Sequence, residues 1–417
     1  MFSTNQLFET ALGIATPWFI KEVTFDEDKK RLDIHLDFKK GSEFYYKDEE
    51  LSVEGSYKAY DTVEKTWRHL NFFEHEAYLH ARVPRVKIDD NKIRQFKTPW
   101  EGVNSGFTLL FEAYILQLTK HMPVNVVSKL TGVSNYKLWR ILDKYVDAAL
   151  AVNDYSELTA VGVDETSARK GHNYISLFVD LNKRRTIFIA DGKDKETVTA
   201  FKEDLIKHNG NPDSITDVSC DMSPAFISGV ATNLPKSKIT FDKFHIMKLI
   251  NKAVDKVRRE EQQVNPLFKN SRYVFLKNEA NLTKKQKEKL EELKLSKTKL
   301  KSLRALSIRE TFQDIYRAKD VEEFAILLKK WYYWATHSRL EPIKKVAKTI
   351  KKHWDGIIRW KESQINNGIL EGLNSIVQAA KAKARGFSTL RNYKIMAYLV
   401  TADLNFSTLN KYCLPTV

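Results

Sequence analysis

Asp221 closes an apolar run in "DVSCDMSPAF" (residues 217–226), and Asp164 closes another in "LTAVGVDE" (residues 158–165). Helix capping is the ordinary use of such an aspartate. Here, however, Ser223 and Pro224 already read as N-cap and first helical residue, so Asp221 needs another reason to stand two residues upstream. In open α/β sheets ligands gather outside the carboxyl ends of strands. Two aspartates meeting there repel and stay ionised only with a cation between them. Mg²⁺, with Mn²⁺ as an alternative, suits oxygen ligands of this kind together with water and substrate phosphates. Two such ions about 3.5–4 Å apart can activate an attacking oxygen and stabilise a leaving one at phosphorus. Side chains alternate along a strand, so Asp164 and Glu165 cannot face one site; Asp164, next to the apolar run, is the candidate. A third carboxylate is wanted, and Glu371 in "NNGILEGLNSIVQAAKAKARGF" can supply it. That helix is expected to bury Ile369, Leu370, Leu373, Ile376 and Val377 and to carry Glu371, Asn374, Gln378, Lys381 and Arg385 as a polar stripe. Spacing alone leaves open whether Glu371 is a ligand or a surface glutamate favoured by the helix dipole.

The elements that must position these groups follow from periodicity. From Leu158 the pattern is strand, strand, strand, helix, strand, helix, strand, helix, ending in "HIMKLINKAVDKVRREE". This suits an α/β sheet layered with helices, in the order of a ribonuclease H-like fold. Beyond Gln262 the period is helical; in "LEPIKKVAKTIKKHWDGIIRW" Ile343, Val346, Ile350, Trp354 and Ile357 line one face and five lysines fall away from it. Upstream, Val126, Val127, Leu130, Val133, Leu138, Ile141, Leu142 and Tyr145 recur at helical spacing on both sides of "TGVS". This predicts a helix-turn-helix whose second helix starts near Asn135 and exposes Lys137, Trp139, Arg140 and Lys144. Residues 18–38 read as a β-hairpin, and 51–100 as short β-like pieces rich in aromatics.

Composition points to a polyanionic partner. The 417 residues carry a net charge of +16, and 42% are hydrophobic. Residues 262–362 hold 25 Lys and Arg against 12 Asp and Glu, most of that excess. Nucleic acid is favoured over membrane as the partner. The longest apolar window, "GFTLLFEAYILQL", is too short to span a bilayer and contains Glu112. The start lacks a basic secretory region, and Cys220 and Cys413 are too few for a disulfide framework or a cysteine zinc site. A cytoplasmic protein is expected.

Five stretches, "VGVDETSARKGHNYISLFVDL", "SCDMSPAFISGV", "FDKFHIMKLINKAVDKVRREE", "WATHSRLEPIKKVAKTIKKHWDGII" and "NGILEGLNSIVQAAKAKARGF", closely resemble bacterial insertion-sequence transposases of the ISL3 group, from about Thr66 to Phe406. The resemblance implies an α/β ribonuclease H-like catalytic domain with an all-α insertion, preceded by a helix-turn-helix and a small β-rich N-terminal module. Its implied boundaries are 1–100, 101–150, 155–261, 262–362 (the insertion) and 363–417. Carried over motif by motif, Asp164, Asp221 and Glu371 would be the catalytic, metal-binding triad. Arg169, Lys170, Lys243, Lys248 and Lys252 would hold backbone phosphates, alongside Lys137, Arg140, Lys381 and Arg385. His245 would orient substrate or be a packed structural histidine. Double-stranded DNA, as terminal inverted repeats and target, would be the partner of a homo-oligomer that cleaves element ends and transfers strands. One departure stands out. Leu51, Glu54, Ile88 and Asn91 occupy places where the family's zinc-ribbon module carries its cysteine and histidine ligands, so no zinc is expected. Two rivals remain: an inactivated, DNA-binding regulator, and a nuclease acting on RNA or junctions.

Overall fold

The computed structural model describes residues 3–48, 52–89, 92–104, 106–169, 173–295, 300–365, 368–406 and 409. Lys170, Leu51, Asn91 and Cys413 lie outside the described residues. The chain divides into two compact units: residues 1–151, 380–400 and 404–417, and residues 152–379 with 401–403.

In the first unit, helix α1 (Thr4–Leu12) precedes strands β1 (Trp18–Asp26), β2 (Arg31–Phe38), β3 (Glu43–Asp48), β4 (Val53–Arg68), β5 (Glu76–Asp89) and β6 (Lys92–Gln95). They form one sheet in the order β1-β2-β5-β4-β3, with β6 on β5. The expected hairpin is β1 and β2. The short pieces expected over 51–100 are instead the long β4 and β5, because alternation continues through polar residues that a hydrophobicity reading breaks. Trp18, Phe44, Trp67 and Trp100 anchor the core, Trp18 edge-on to Trp100 at 4.9 Å. Glu54 sits on β4 beside Lys47 and Tyr45, and Ile88 packs against the aromatic core.

Helices α2 (Leu109–His121), α3 (Val124–Thr131) and α4 (Asn135–Ala151) follow. The turn between α3 and α4 uses Gly132 at φ 69°, a left-handed conformation that a residue with a Cβ rarely adopts. Val127, Leu138, Ile141, Leu142 and Tyr145 are buried as expected. Val126 and Leu130 are exposed instead, since a three-helix packing buries a narrower stripe of an eight-residue helix than its apolar sequence offers. Trp139, expected outside, is half-buried against Phe387. Glu112 is fully buried, accepting from the N–H groups of Val103 (2.8 Å) and Asn104 (3.0 Å) and from Tyr145 Oη (2.7 Å). None of the described helices is long and apolar enough to cross a membrane.

The second unit contains β7 (Ala160–Arg169), β8 (Asn173–Asp180), β9 (Arg185–Asp191), α5 (Lys195–Lys207), β10 (Asp217–Cys220), α6 (Pro224–Asn233), β11 (Lys238–Phe241) and α7 (Lys243–Gln262). The element order matches the expected run. The sheet order is β11-β10-β7-β8-β9. β7, β8 and β9 pair antiparallel, while β10 and β11 run parallel to β7. Helices α8 (Arg272–Leu276), α9 (Lys284–Lys294), α10 (Lys301–Ile315), α11 (Val321–His337), α12 (Glu341–Lys352), α13 (Trp354–Ser363) and α14 (Gly368–Lys383) then follow, before α15 (Leu390–Thr401). The helical stretch 341–363 breaks at His353 into α12 and α13, though Ile343, Ile350 and Ile357 remain buried on both sides of the break. One hydrophobic core runs from Val161 and Val163 on β7 through Phe201, Phe226 and Ile250 to Phe312, Trp331, Ile343 and Ile357.

The two faces of β7 do different work. Val161 and Val163 face that core. Gly162 faces α14, where a Cβ would lie 2.7 Å from Leu370 Cδ2 and 2.9 Å from Leu181 Cδ2. The missing side chain lets α14 approach the sheet closely, through Leu370 packed on Val179 and Leu181. In α14 Leu370 and Val377 are buried, but Ile376 is exposed, contrary to the apolar face read from its spacing.

Candidate active site

Strand register sets three aspartates in a row. Gly162 on β7 pairs with Ser219 on β10, and Ser219 pairs with Thr240 on β11. Two residues beyond each member of that row stand Asp164, Asp221 and Asp242. Asp242 N donates to Cys220 O at 3.1 Å, tying the ends of β10 and β11 together. Asp242 escaped the sequence reading because it sits where an N-cap belongs, and it does cap α7. The signal that could have found it is its place directly after a strand, as in "SCD" and "TFD".

Asp221 and Asp242 follow their strands directly, but β7 runs on to Arg169, so Asp164 lies inside its strand rather than closing it. Each aspartate uses one oxygen on a nearby backbone N–H: Asp164 Oδ1 accepts from Glu165 N (2.8 Å), Asp221 Oδ1 from Ser223 N (2.9 Å) and Asp242 Oδ1 from Phe244 N (2.8 Å). Asp164 Oδ2 also accepts from Asn374 Nδ2 of α14. Gln378, one turn further on, donates to Thr166 Oγ1 and, at 3.3 Å, to Ser167 O. A polar ladder thus continues the Leu370 contact and fixes α14 along β7. Glu165 turns to the other face and pairs with Lys193 at 3.4 Å. Ser223 is the N-cap of α6 as expected, yet its hydroxyl makes no capping bond; Asp221 meets the turn instead.

His245 Nδ1 donates to Asp242 Oδ2 at 2.8 Å. That hydrogen bond holds its imidazole above the ordinary pKa against the opposing effect of burial, with Asp164 and Asp221 acting in the same direction. Burial pushes the Asp164 carboxyl up to about 6, and the charges of Asp242 and Asp221 add to it. His245 and the Glu165 N–H pull it the other way. Glu371, at the rim, is raised by partial burial and by Asp242, and lowered by His245. Strand register sets Asp164 and Asp221 level on adjacent strands, and Glu371 shares a cleft with Asp242. Among the described residues no three His, Cys, Asp or Glu side chains close around a single ion position.

The donor set nevertheless suits a hard cation. Four carboxylates share one sheet end, where unscreened repulsion is costly. Beside Asp164, the Oδ1 of Asn374 is buried with no hydrogen-bond partner among the described residues. An orphaned amide oxygen next to a half-buried carboxylate suits a positive charge or a water.

The expected phosphate-binding residues fall in several places. Lys243, His245, Lys248 and Lys252 lie on the first turns of α7, Lys248 and Lys252 exposed. Lys243 is half-buried, its Nζ 4.5 Å from the Tyr316 ring centroid and 5.5 Å from that of Trp360; burial, then Arg317, lowers its pKa. Arg169 is exposed at the end of β7. Lys137 and Arg140 are exposed on α4. Lys381 stacks over Tyr393 at 5.7 Å, and Arg385 is exposed just past α14.

A mixed sheet with a row of aspartates across its parallel strands, in a chain that also carries a helix-turn-helix, fits a DNA-processing protein, and comparison with known sequences narrows the class. The model of the family described as "Transposase" (DDE_Tnp_ISL3) matches residues 161–397, and that described as "Helix-turn-helix domain of transposase family ISL3" matches residues 97–146. The chain belongs to the ISL3 family of transposases. It is 25% identical over 342 residues to the transposase for insertion sequence element IS1001 of Bordetella parapertussis, covering 79% of this chain and 82% of that one. It is 24% identical over 371 residues to the transposase for insertion sequence element IS1557 of Mycobacterium tuberculosis, covering 81% and 82%.

Proposed function

We propose that this transposase is a metal-dependent enzyme of the Asp-Asp-Glu type, which cleaves the ends of its element and joins the freed 3′-hydroxyls to target DNA. Asp164, Asp221 and Glu371 are the residues that hold a divalent cation, Mg²⁺ or Mn²⁺. The observation that carries the reading is the register: Asp164 and Asp221 stand level on adjacent parallel strands, and α14 carries Glu371 to the same end of the sheet. The sheet order supports a ribonuclease H-like fold for 155–261, and the helices between α7 and α14 support an all-helical insertion over 262–362. Of the last part, 363–417, residues up to 379 belong to the same unit as the sheet, while 380–400 and 404–417 group with the first unit. The remaining parts are the β-rich module, 1–100, and the helix-turn-helix, 101–150. The partners are duplex DNA, as terminal repeats and target, and further copies of the chain, acting in the bacterial cytoplasm.

Asp164, Asp221 and Glu371 would hold the divalent cation, which when bound would supply charge neutralisation at the scissile phosphate and a lowered pKa for the attacking water. The chain's own part is to hold its carboxylates in place. The Glu165 and Ser223 N–H groups fix Asp164 and Asp221 by one oxygen each, and Asn374 braces Asp164 from α14. Asp242 caps α7 and orients His245, and its hydrogen bond holds that imidazole above its ordinary pKa beside the aspartates. The helix-turn-helix supplies the duplex contacts, with Lys137 and Arg140 on the exposed side of α4.

Asp221→Asn is expected to abolish cutting of element-end DNA in the presence of Mg²⁺ while gel-shift binding survives. Loss of both together would make Asp221 a structural residue. Undiminished cutting would remove it from the site, and absence of cutting by the unsubstituted protein with either metal would favour the DNA-binding regulator.

A further inference from the structure

The first turns of α7 separate two clefts that share Phe244 and Met247. The larger, about 660 Å³, has Asp242, Glu371, Lys243, Trp360 and Lys361 in its lining. The smaller, about 290 Å³, opens toward Lys248, Lys252 and Arg272. Asp255, at the edge of the smaller cleft, is held by Arg258 at 2.9 Å and Arg259 at 3.3 Å, so its charge is matched from within the helix. Phe244 stands on the ridge between the two, 51% exposed and edge-on to His245 at 5.6 Å. From Phe244 to Lys252 the helix rises about 12 Å.

An aromatic ring left half in water, two residues past Asp242, contributes little to the core. It does present a flat apolar face between a carboxylate-lined cleft and a cation-lined one. A base in an intact duplex has both faces covered by its neighbours, so such a ring can stack on it only once it is unpaired and unstacked. Stacking platforms flanked by cations are the general means of holding single strands. Both rings have a lysine over them, Lys248 at 6.0 Å from the Phe244 centroid and Lys243 at 5.5 Å from that of Trp360. But Lys248 is exposed and can move onto a phosphate, whereas Trp360 is half-buried with Tyr316 edge-on at 4.7 Å and is the poorer platform.

We propose that the groove along the first turns of α7 holds an unpaired stretch of the DNA strand leaving the cleavage site, one base stacking on Phe244 and the next phosphates lying on Lys248, Lys252 and Arg272. This rests on the proposed function, since it makes the groove the exit of that site. The site would then act on a locally opened duplex.

The test measures binding of the full-length chain to a twelve-residue oligothymidylate and to a duplex of the same length, by fluorescence anisotropy in EDTA. Without metal no cleavage intervenes, so the result stands whether or not Asp221→Asn abolishes cutting. Phe244→Ala is expected to weaken oligothymidylate binding roughly ten- to a hundredfold, with duplex affinity and melting temperature unchanged; Phe244→Trp is expected to restore it. Lys248→Ala with Lys252→Ala should weaken the same complex and steepen its loss with salt less than in the unsubstituted chain. Equal loss on single strand and duplex, no loss on either, or no binding of oligothymidylate by the unsubstituted protein would each overturn the proposal.

Discussion

Asp164→Asn should stabilise the protein while disabling it. Burial and the neighbouring aspartates raise the Asp164 carboxyl from 3.8 to about 6. At about 1.36 kcal/mol per pH unit, ionising it in the folded state costs about 3 kcal/mol. An amide carries no charge and escapes this cost. It still accepts the Glu165 N–H through its one oxygen, and its NH₂ can donate to the orphaned Oδ1 of Asn374 if that side chain turns over. Imperfect rebonding takes back about 1 kcal/mol, leaving a gain of about 2 kcal/mol. For a unit of 150–250 residues this raises the melting temperature by roughly 4–8 °C. The pH dependence follows from the direction of the change. The unfolded chain loses this proton near 3.8 and the folded protein near 6, so stability falls as pH rises through that window and stays low above it. In EDTA the variant should therefore melt higher at pH 8, and the gap should close toward pH 4. Added Mg²⁺ should raise the melting temperature of the unsubstituted chain and leave the variant nearly unmoved. A variant that melts lower at pH 8, or an equal response of both proteins to Mg²⁺, would refute the reasoning that this carboxylate is held at a cost for a cation.

Gly162→Ala should displace α14, because its Cβ would fall 2.7 Å from Leu370; a loss of about 1–3 kcal/mol in chemical denaturation, with cutting lost and duplex binding kept, is the expected outcome. Lys137→Ala with Arg140→Ala should weaken binding to all duplexes and lower the slope of log affinity against log salt by about 2, read by anisotropy titrations at several salt concentrations. An unchanged slope would take α4 off the phosphate backbone.

The run of elements from β7 to α7 was legible because strands and helices of this length declare themselves by period. Asp221 follows β10 directly, as its apolar run suggests, but Asp164 lies inside β7, which continues to Arg169 through polar residues that the apolar run does not include. The helix-turn-helix start at Asn135 was legible for the same reason. Asp242 was not: it does the capping that aspartate does at many helix starts, and only the pairing of β10 with β11 sets it beside Asp221. The break at His353 and the exposure of Val126, Leu130 and Ile376 depend on which neighbours arrive, which periodicity does not contain. Nor could spacing foresee Gly162 as the seat of Leu370, 208 residues away, since that contact exists only once the helices between them have folded on the same core.

The three aspartates differ in what remains after their backbone bonds are made. The second oxygen of Asp242 is taken by His245, which makes it the least available to a cation and the best placed to orient a neighbour. The second oxygen of Asp164 meets Asn374, whose own amide oxygen is left without a partner. Asp221 Oδ2 has no side-chain partner among the described residues. In the proposed triad the third acid, Glu371, comes from outside the sheet, and its place depends on α14 staying seated: Leu370 is next to it, and Asn374 and Gln378 follow at successive turns on the β7 side. The contacts that hold α14 down are thus the ones that decide where the last carboxylate stands, and they connect a packing requirement at Gly162 to the chemistry at Asp164.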